Sequence, residues 1–253
     1  MDLNIPDTRQ SLLAERLDAG QTIVASDVAE EFGISLDTIR RDILALEAQG
    51  KARRVRGGAM PLAQPASPFH TRLHDAEPIG ADLIATAVAQ VGDTRTLLID
   101  GGTTALALIP HLERLSDRLI ITPSPWAAIA CQECGHDVFL LGGTLSRRAG
   151  VTIGAHALQK VAEVAADVAI LGACGLEAGF GLSSDEYDDS LMKQAMHAAA
   201  AQTFVVTSSD KVGRRARHQT LQLSDIDRII TDAAADQTNP LSMAGAQLIS
   251  SLS

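Results

Sequence analysis

Cysteines, aromatic residues and long apolar runs are scarce in this chain of 253 residues. Three cysteines are too few for a disulfide framework, and they fit a reducing compartment. No apolar run reaches the roughly 20 residues that a membrane-spanning helix needs. Residues 1–10 are polar and lack the basic flank and apolar stretch of a signal peptide. We therefore expect a cytoplasmic globular protein.

The hydrophobic residues of this chain are mainly aliphatic, and few of them are aromatic. Aromatic residues make up 3% of the chain, whereas hydrophobic residues in total make up 46%. This balance favours helices packed on a buried sheet of aliphatic strands. The length allows one or two domains with a core of their own.

Cys131 and Cys134 form a lone CxxC pair. A zinc ribbon requires a second such pair, and a thioredoxin-like site requires the motif at the start of a helix. Here the pair lies late in the segment 126–134, which has a helical pattern and follows a strand. We interpret both thiols as packing groups and predict no metal site and no cofactor.

The net charge of −10 is unusual for a protein that binds nucleic acid. Phosphates, however, respond to the local field within about a Debye length, ~8–10 Å. Residues 38–58 carry six basic residues against two acidic ones, a net charge of +4. The basic residues are Arg40, Arg41, Lys51, Arg53, Arg54 and Arg56, and the acidic ones are Asp42 and Glu47. A local basic surface is therefore compatible with an acidic chain.

Residues 1–60 have the pattern of three short helices and a β-hairpin. We predict that Gly20 ends the first helix, that Ser26 caps a second helix over 27–32, and that Gly33 supplies the turn. Ser35 is predicted to cap a third helix that ends at about Gln49. The apolar stripes of the first and third helices are formed by Leu12, Leu13, Leu17, Ile39, Ile43 and Leu46. Residues 51–58 end in a glycine pair, as a wing hairpin does. This order predicts a winged helix-turn-helix.

Residues 61–76 contain three prolines and no periodicity, and we interpret them as a linker. In residues 77–253, short aliphatic strands alternate with stretches long enough for helices, which predicts an α/β domain with a mostly parallel sheet and helices on both faces. The predicted strands are 96–100, 118–122, 137–142, 168–174, 203–208 and 228–231.

The third helix and the wing carry the candidate DNA-binding residues. Side chains near the N-terminus of a recognition helix reach base edges, where arginine reads guanine and threonine contacts a thymine methyl or a phosphate. The candidates on the helix are Ser35, Asp37, Thr38, Arg40 and Arg41, and those on the wing are Arg53, Arg54 and Arg56. The wing arginines would lie along the phosphates or in the minor groove. A solvated helix face beside a basic hairpin is the alternative, which the helix–turn–helix–wing order disfavours.

Arg9 and the segments 24–29, 33–43 and 56–59 resemble the N-terminal signature of the DeoR family of transcriptional regulators. The run Ser-x-x-Thr-Ile-Arg-Arg-Asp that starts at Ser35 is its most specific part, and the resemblance covers nearly the whole chain. It implies a regulator, usually a repressor, of a carbohydrate operon. It also implies a sensor domain with the fold of ribose-5-phosphate isomerase that binds a phosphorylated sugar or related metabolite.

The first predicted sensor strand runs into Asp100-Gly101-Gly102-Thr103-Thr104 and then a helix over 105–115. The glycines allow a ligand to approach the backbone, and the helix N-terminus offers free N–H groups to a phosphate. Asp100 would bind a sugar hydroxyl at the carboxyl end of the strand. A plain Gly-Gly turn is the alternative.

Other strand ends complete the predicted effector site with Gly142, Gly143, Cys174 and Lys211. The resemblance adds Asp189 and Lys193, which follow the acidic residues Asp185, Glu186 and Asp188. A surface run of acids is the alternative for every member except Lys193. Lys193 and Lys211 would supply positive charge for an anionic effector. Departures from the family pattern, as at Cys174, leave the identity of the effector open.

We expect no enzymatic activity, although two alternatives remain. The first is a sugar-phosphate isomerase-type enzyme that carries a DNA-binding domain, with a general base among Asp100, Asp185, Glu186 and Lys193. The second is an interaction module whose C-terminal domain only oligomerises. Because one winged domain offers few base contacts, we expect a homo-oligomer, at least a dimer, on paired half-sites of operator DNA.

Overall fold

The computed structural model describes residues 5–18, 22–61, 67–75 and 78–251. The chain divides into two compact units, Met1–Gln64 and Pro65–Ser253. The buried apolar residues of the first unit form one cluster, and those of the second unit form two others. Within the described residues, no helix is both long enough and apolar enough to cross a membrane.

The first unit is a winged helix-turn-helix, as predicted. In chain order its elements are α1 (Pro6–Asp18), β1 (Ile23–Val24), α2 (Ala25–Phe32), α3 (Leu36–Ala48), β2 (Ala52–Val55) and β3 (Gly58–Pro61). The strands form an antiparallel sheet in the order β1-β3-β2. Ile39, Ile43 and Leu46 on α3 are buried against Leu13 and Leu17 on α1, because residues three and four apart share one face of a helix.

The two predicted helix caps have different outcomes. Ser35 caps α3, and its Oγ accepts a hydrogen bond from the Thr38 amide at 3.2 Å. The prediction for Ser26 is wrong, since α2 begins at Ala25 and Val24 is its N-cap. The reason is the short strand β1, which pairs Val24 with Gly58 and holds it extended just before the helix. Gly33 adopts φ 65 at the turn, as predicted, whereas Gly20 lies outside the described residues.

Strands and helices alternate along most of the second unit, whose described residues contain twelve strands and seven α-helices. Its first half consists of α4 (Phe69–Asp75), α5 (Ala81–Val91), β4 (Thr96–Ile99), α6 (Thr103–Leu108), β5 (Leu119–Thr122), α7 (Pro125–Glu133), β6 (Asp137–Leu140), β7 (Thr144–Leu145) and β8 (Thr152–Ile153). Its second half consists of α8 (Ala155–Ala162), β9 (Ala166–Leu171), β10 (Gly175–Glu177), β11 (Gly181–Ser184), α9 (Tyr187–Ala198), β12 (Ala200–Thr207), β13 (His218–Leu221), β14 (Arg228–Thr231), α10 (Ala235–Met243) and β15 (Leu248–Ser250).

A seven-stranded parallel sheet in the order β15-β14-β12-β9-β4-β5-β6 forms the centre of this unit. Helices cover both of its faces: on β4, Leu97 and Ile99 belong to one apolar cluster and Leu98 to the other. Neighbouring residues of a strand point to opposite faces, so a strand buried on both sides is continuously apolar. The prediction of a mostly parallel sheet with helices on both faces is confirmed.

Several local predictions need correction. The strand predicted over 168–174 ends at Leu171, and the helix predicted over 105–115 is α6, which ends at Leu108 and is followed by a 3-10 turn, Ile109–His111. The small antiparallel sheet β10-β11-β13 and the hairpin β7-β8 were not predicted. Their short strands lack the aliphatic runs that identified the central strands.

The stretch 61–76, predicted as a linker, contains regular structure. Pro61 belongs to β3, and α4 occupies 69–75. Phe69 is 1% exposed and anchors α4 in the second unit. One buried residue in a seven-residue helix produces no visible periodicity, which explains the error. Residues 62–66 and 76 lie outside the described residues.

Candidate functional site

The exposed face of α3 carries the two arginines predicted to read DNA. Arg40 and Arg41 are both exposed. Arg40 forms an ion pair with Asp37, one turn earlier, at 3.3 Å. Arg41 forms no ion pair with any other described residue. Ser35 and Thr38 share a hydroxyl–hydroxyl hydrogen bond of 2.8 Å, so their side chains also close the start of the helix.

The wing places three exposed arginines beside this helix. The Arg54 guanidinium lies 3.5 Å from the Glu47 carboxylate, and Arg53 contacts the sulfur of Met60 at 3.5 Å. A groove of about 560 Å³ runs between α3 and the wing, and Arg40, Arg54 and Arg56 line it. Arginines of the helix and of the wing therefore border the same groove.

A buried ion pair fixes the position of the recognition helix. The two carboxylate oxygens of Asp42 on α3 accept hydrogen bonds from Arg9 on α1, at 2.5 Å from Nε and 3.1 Å from the second guanidinium nitrogen. Gln10 donates a third bond at 3.0 Å. Both charged side chains are 4% exposed. The charge count of the sequence treated Asp42 as part of the basic stretch, whereas its charge is balanced inside the fold.

Asp100 lies at the carboxyl end of β4 and is 2% exposed. Its carboxylate accepts a hydrogen bond from the Gly101 amide at 2.7 Å and another from the Gly172 amide at 3.0 Å. Gly172 directly follows β9, the neighbouring strand, and the sequence reasoning missed it because the predicted strand ran through it. A glycine immediately after an aliphatic run was the signal available.

Lys193 joins Asp100 and Asp189 into a buried triad. Its Nζ lies 2.7 Å and 2.8 Å from the two Asp189 oxygens and 3.2 Å from Asp100. Burial lowers the pKa of Lys193, but the carboxylates of Asp100 and Asp189 raise it by more, so the ammonium stays charged. Two carboxylates surround one ammonium group, and Lys193 therefore brings no surplus positive charge to an anionic effector.

Cys174 borders the same triad. Burial raises the pKa of its thiol, against the opposite influence of the Lys193 ammonium. The thiol is therefore neutral near pH 7. Asp185 is buried beside it, whereas Asp188 is exposed and Glu186 faces Arg148 at 3.7 Å. The acidic run 185–189 therefore contains both buried residues, as a binding site would, and residues at the surface, as a surface run of acids would.

The remaining predicted effector residues do not join the triad by a direct contact. Lys211 pairs with Asp210 at 2.5 Å on a turn after β12. Gly143 adopts φ 141, and a Cβ there would lie 2.7 Å from the Ile153 carbonyl oxygen, so hairpin packing accounts for it. Gly142 adjoins open space. Gly102 is the N-cap of α6, and Thr103 and Thr104 are its first residues and half-buried.

The described part of the CxxC helix supports a packing role for its cysteines. Burial raises the pKa of Cys131 to about 12, and both Cys131 and Cys134 are unbridged. Within the described residues, no group of three or more His, Cys, Asp or Glu side chains could hold a metal ion.

Family models match both halves of the chain. Residues 9–64 match the DeoR-like helix-turn-helix domain, and residues 82–233 match the DeoR C terminal sensor domain. The chain belongs to the DeoR family. It is a DNA-binding transcriptional regulator, with the recognition helix and wing in the first matched segment and the buried triad in the second.

Named relatives extend over most of the chain. The HTH-type transcriptional regulator GlpR of Haloferax volcanii is 29% identical over 97% of this chain and 98% of its own. The glycerol-3-phosphate regulon repressor of Escherichia coli is 31% identical over 83% of this chain and 84% of its own. The HTH-type transcriptional repressor GlcR of Bacillus subtilis is 27% identical over 85% and 84%.

Among solved structures, a D-ribose-5-phosphate isomerase in complex with phospho-erythronic acid matches with a TM-score of 0.35 and 19% identity, covering 49% of each chain. A tetrameric eIF2B-beta2-delta2 complex from C. thermophilum matches with a TM-score of 0.46 and 12% identity, over 95% of this chain and 78% of the other.

Proposed function

We propose that the protein represses a carbohydrate-metabolism operon and that a phosphorylated sugar or related metabolite, bound beside the buried triad, releases it from its operator. Residues 1–60 bind DNA in this proposal, and residues 77–253 bind the effector and assemble the homo-oligomer. The observation that carries it is the triad of Asp100, Asp189 and Lys193, in which two charged residues of α9 are buried against Asp100 at the carboxyl end of β4.

The position and the cost of the triad support a binding role. Ligands of open α/β sheets bind outside the carboxyl ends of the strands, where Asp100 and Gly172 lie. Burying charges costs several kcal/mol per ion even when they are paired, so a buried triad in an otherwise aliphatic core calls for a functional reason. Carboxylate and ammonium groups are suited to the hydroxyl groups of a sugar or polyol.

The phosphate needs a different part of the site, because the triad has one carboxylate more than it has ammonium groups. The backbone of the loop 100–104, the hydroxyls of Thr103 and Thr104, and the Lys211 ammonium are the groups proposed to hold it. Gly142, Gly143 and Cys174 would form the neighbouring wall. The name of the Escherichia coli relative, a glycerol-3-phosphate regulon repressor, supports a phosphorylated effector.

We infer that the sensor unit binds without turnover. Every relative named above is a regulator by name. Lys193 is held by two carboxylates, so it is charged and is not available as a general base near pH 7. Incubation of the purified protein with ribose 5-phosphate and with amino-sugar phosphates should give no product. Product formation would favour the isomerase-type enzyme.

Operator binding is tested with a duplex selected from a random pool by the purified full chain. Arg41→Ala should weaken binding by about 1–3 kcal/mol, or roughly 5–150-fold, because it removes the arginine proposed to read a base, which has no ion-pair partner among the described residues. Arg56→Ala should mainly reduce the salt dependence, by a slope of about one. Arg95→Ala, which removes an exposed arginine of the second unit, is the control and should bind normally.

Effector binding is tested by thermal shift with glycerol 3-phosphate, fructose 1-phosphate and ribose 5-phosphate. A ligand at 100 times its dissociation constant should stabilise the native protein by about 2.7 kcal/mol. The same compound should release the selected duplex, and Asp100→Asn should bind DNA but no longer respond. Light scattering at DNA-binding concentrations should give a dimer or larger. A monomer, or a normal response of Asp100→Asn, would contradict the proposal.

A further inference from the structure

Phe69 fills a closed seat at the start of the second unit. Its side chain is 1% exposed, and its ring lies 4.9 Å from the ring of Trp126. A Cβ at Gly150 would lie 2.3 Å from the Phe69 ring, so only glycine leaves room for it. The Phe69 amide donates to the Arg147 carbonyl at 3.3 Å. Trp126, Arg147 and Gly150 together form what we call the Phe69 seat.

The segment between β7 and β8 that carries this seat also touches the effector loop. Val151 follows Gly150 and is 1% exposed. A Cβ at Gly101 would lie 2.4 Å from Val151 Cγ1, which means that the Gly101 backbone already rests on this side chain. The segment is internally braced, because the amides of Ser146 and Gly150 each donate a 2.9 Å bond within it. Val151 and Gly150 therefore belong to one hydrogen-bonded segment.

A second contact leads from the effector loop to the same seat. A Cβ at Gly101 would lie 2.8 Å from Ser124 Cβ. Ser124 is fully buried and caps α7 by accepting a bond from the Ala127 amide at 3.3 Å. Trp126 lies in the first turn of α7 and packs on Phe69. Both neighbours of Gly101 thus connect to Phe69 within two or three residues.

We propose that Phe69 is a positioning residue for the response to effector: its seat transmits the state of the loop 100–104 to α4 and to the chain segment that leads to the DNA-binding unit. This rests on the proposed function. Because Gly101 has no free space towards Val151 or Ser124, a ligand that pushes this loop towards them must shift one of them. Such a ligand alters DNA affinity only by favouring one arrangement of the seat over another.

The chain contains one tryptophan, and it belongs to the seat. Trp126 emission therefore reports the state of the seat directly in the unmodified full chain. The experiment measures thermal shift, Trp126 emission and affinity for the selected duplex, with glycerol 3-phosphate, fructose 1-phosphate and ribose 5-phosphate as probes. In the wild type, a probe that raises Tm should change Trp126 emission and weaken DNA binding by about 5–150-fold.

The test variant is Phe69→Leu, which keeps an apolar side chain but removes the ring contact with Trp126. It should bind the probe and the duplex with unchanged affinities, while the effect of the probe on DNA affinity disappears. The matched control is His74→Ala on the same helix, whose exposed imidazole contacts His70. This variant should respond as the wild type does.

The outcomes separate this proposal from the one on which it rests. Release of DNA without a change in Trp126 emission, or undiminished release in Phe69→Leu, overturns the role of the seat and leaves the sensor assignment intact. The emission measurement on the wild type decides the matter if Phe69→Leu does not fold. A probe that binds without altering DNA affinity overturns effector-controlled release. A panel in which no probe raises Tm overturns the sensor assignment. Either result also overturns the transmission role of Phe69.

Discussion

Replacement of Lys193 by methionine should strongly destabilise the second unit. Methionine fills a similar volume but leaves Asp100 and Asp189 facing each other without the ammonium that lies 3.2 Å and 2.7 Å from them. The Lys193 side chain is 6% exposed, so water cannot replace it. Breaking a buried pair by removing one partner costs about 3–5 kcal/mol. At about 2–4 °C per kcal/mol for a unit of this size, Tm should fall by about 6–20 °C.

Lys160→Met is the matched control for this substitution. The Lys160–Glu163 pair has the same 2.7 Å distance as Lys193–Asp189, but its side chains are 54% and 52% exposed. An exposed pair contributes less than about 1 kcal/mol. Scanning calorimetry on both variants therefore shows whether the loss of Tm depends on the burial of the ion pair, since the N–O distance is the same in both pairs. Equal losses of Tm in the two variants would refute the reasoning.

The pH at which the comparison is made follows from the raised pKa of Lys193. A raised lysine pKa means that the folded state binds the proton more tightly than the unfolded state does. The stabilisation is then complete below the ordinary lysine pKa and is lost only as pH rises through the raised value. Measurements at pH 7 therefore record the whole effect.

Three further predictions test other parts of the fold. Gly101→Ala should lower Tm, since overpacking costs about 1–3 kcal/mol, whereas Gly142→Ala adjoins open space and should be nearly neutral by calorimetry. Asp42→Ala should unfold the DNA-binding unit at lower urea concentration by about 3–5 kcal/mol, because it leaves the buried Arg9 guanidinium without its carboxylate. Burial and two nearby arginines lower the pKa of His136, so the unfolded chain takes up a proton there first as pH falls; His136→Gln should therefore lose less Tm between pH 7 and pH 5 than the wild type.

Local patterns were sufficient to predict most of the first unit. The hydroxyl of Ser35 and the apolar residues Ile39, Ile43 and Leu46 lie within one helix, so their spacing contains the necessary information. The start of α2 was misplaced because it depends on β1 pairing with β3, a contact between residues far apart in sequence. The burial of Asp42 against Arg9 has the same origin.

In the candidate effector site, too, contacts within one helix could be predicted from the sequence, whereas contacts between distant segments could not. Asp189 and Lys193 are one helical turn apart, and their pairing follows from that spacing. Asp100 joins them only through the order of strands in the sheet, and Gly172 only through the adjacency of β9 and β4. Lys211 was assigned by its position after a strand, but the neighbouring Asp210 offers it a closer partner. The net charge of such a site can therefore be assigned only when the distances between its charged groups are known.

The two units of this regulator have separate apolar cores, so we expect that each unit can be exchanged without the other. No buried residue of the DNA-binding cluster belongs to either cluster of the second unit within the described residues. We therefore expect substitutions that retarget α3 to a new operator to leave the apolar clusters of the second unit unchanged. Chimeras that replace the segment before Phe69 with that of a relative should consequently adopt the relative's operator while they keep the proposed effector site, which offers a direct route to rewired genetic circuits.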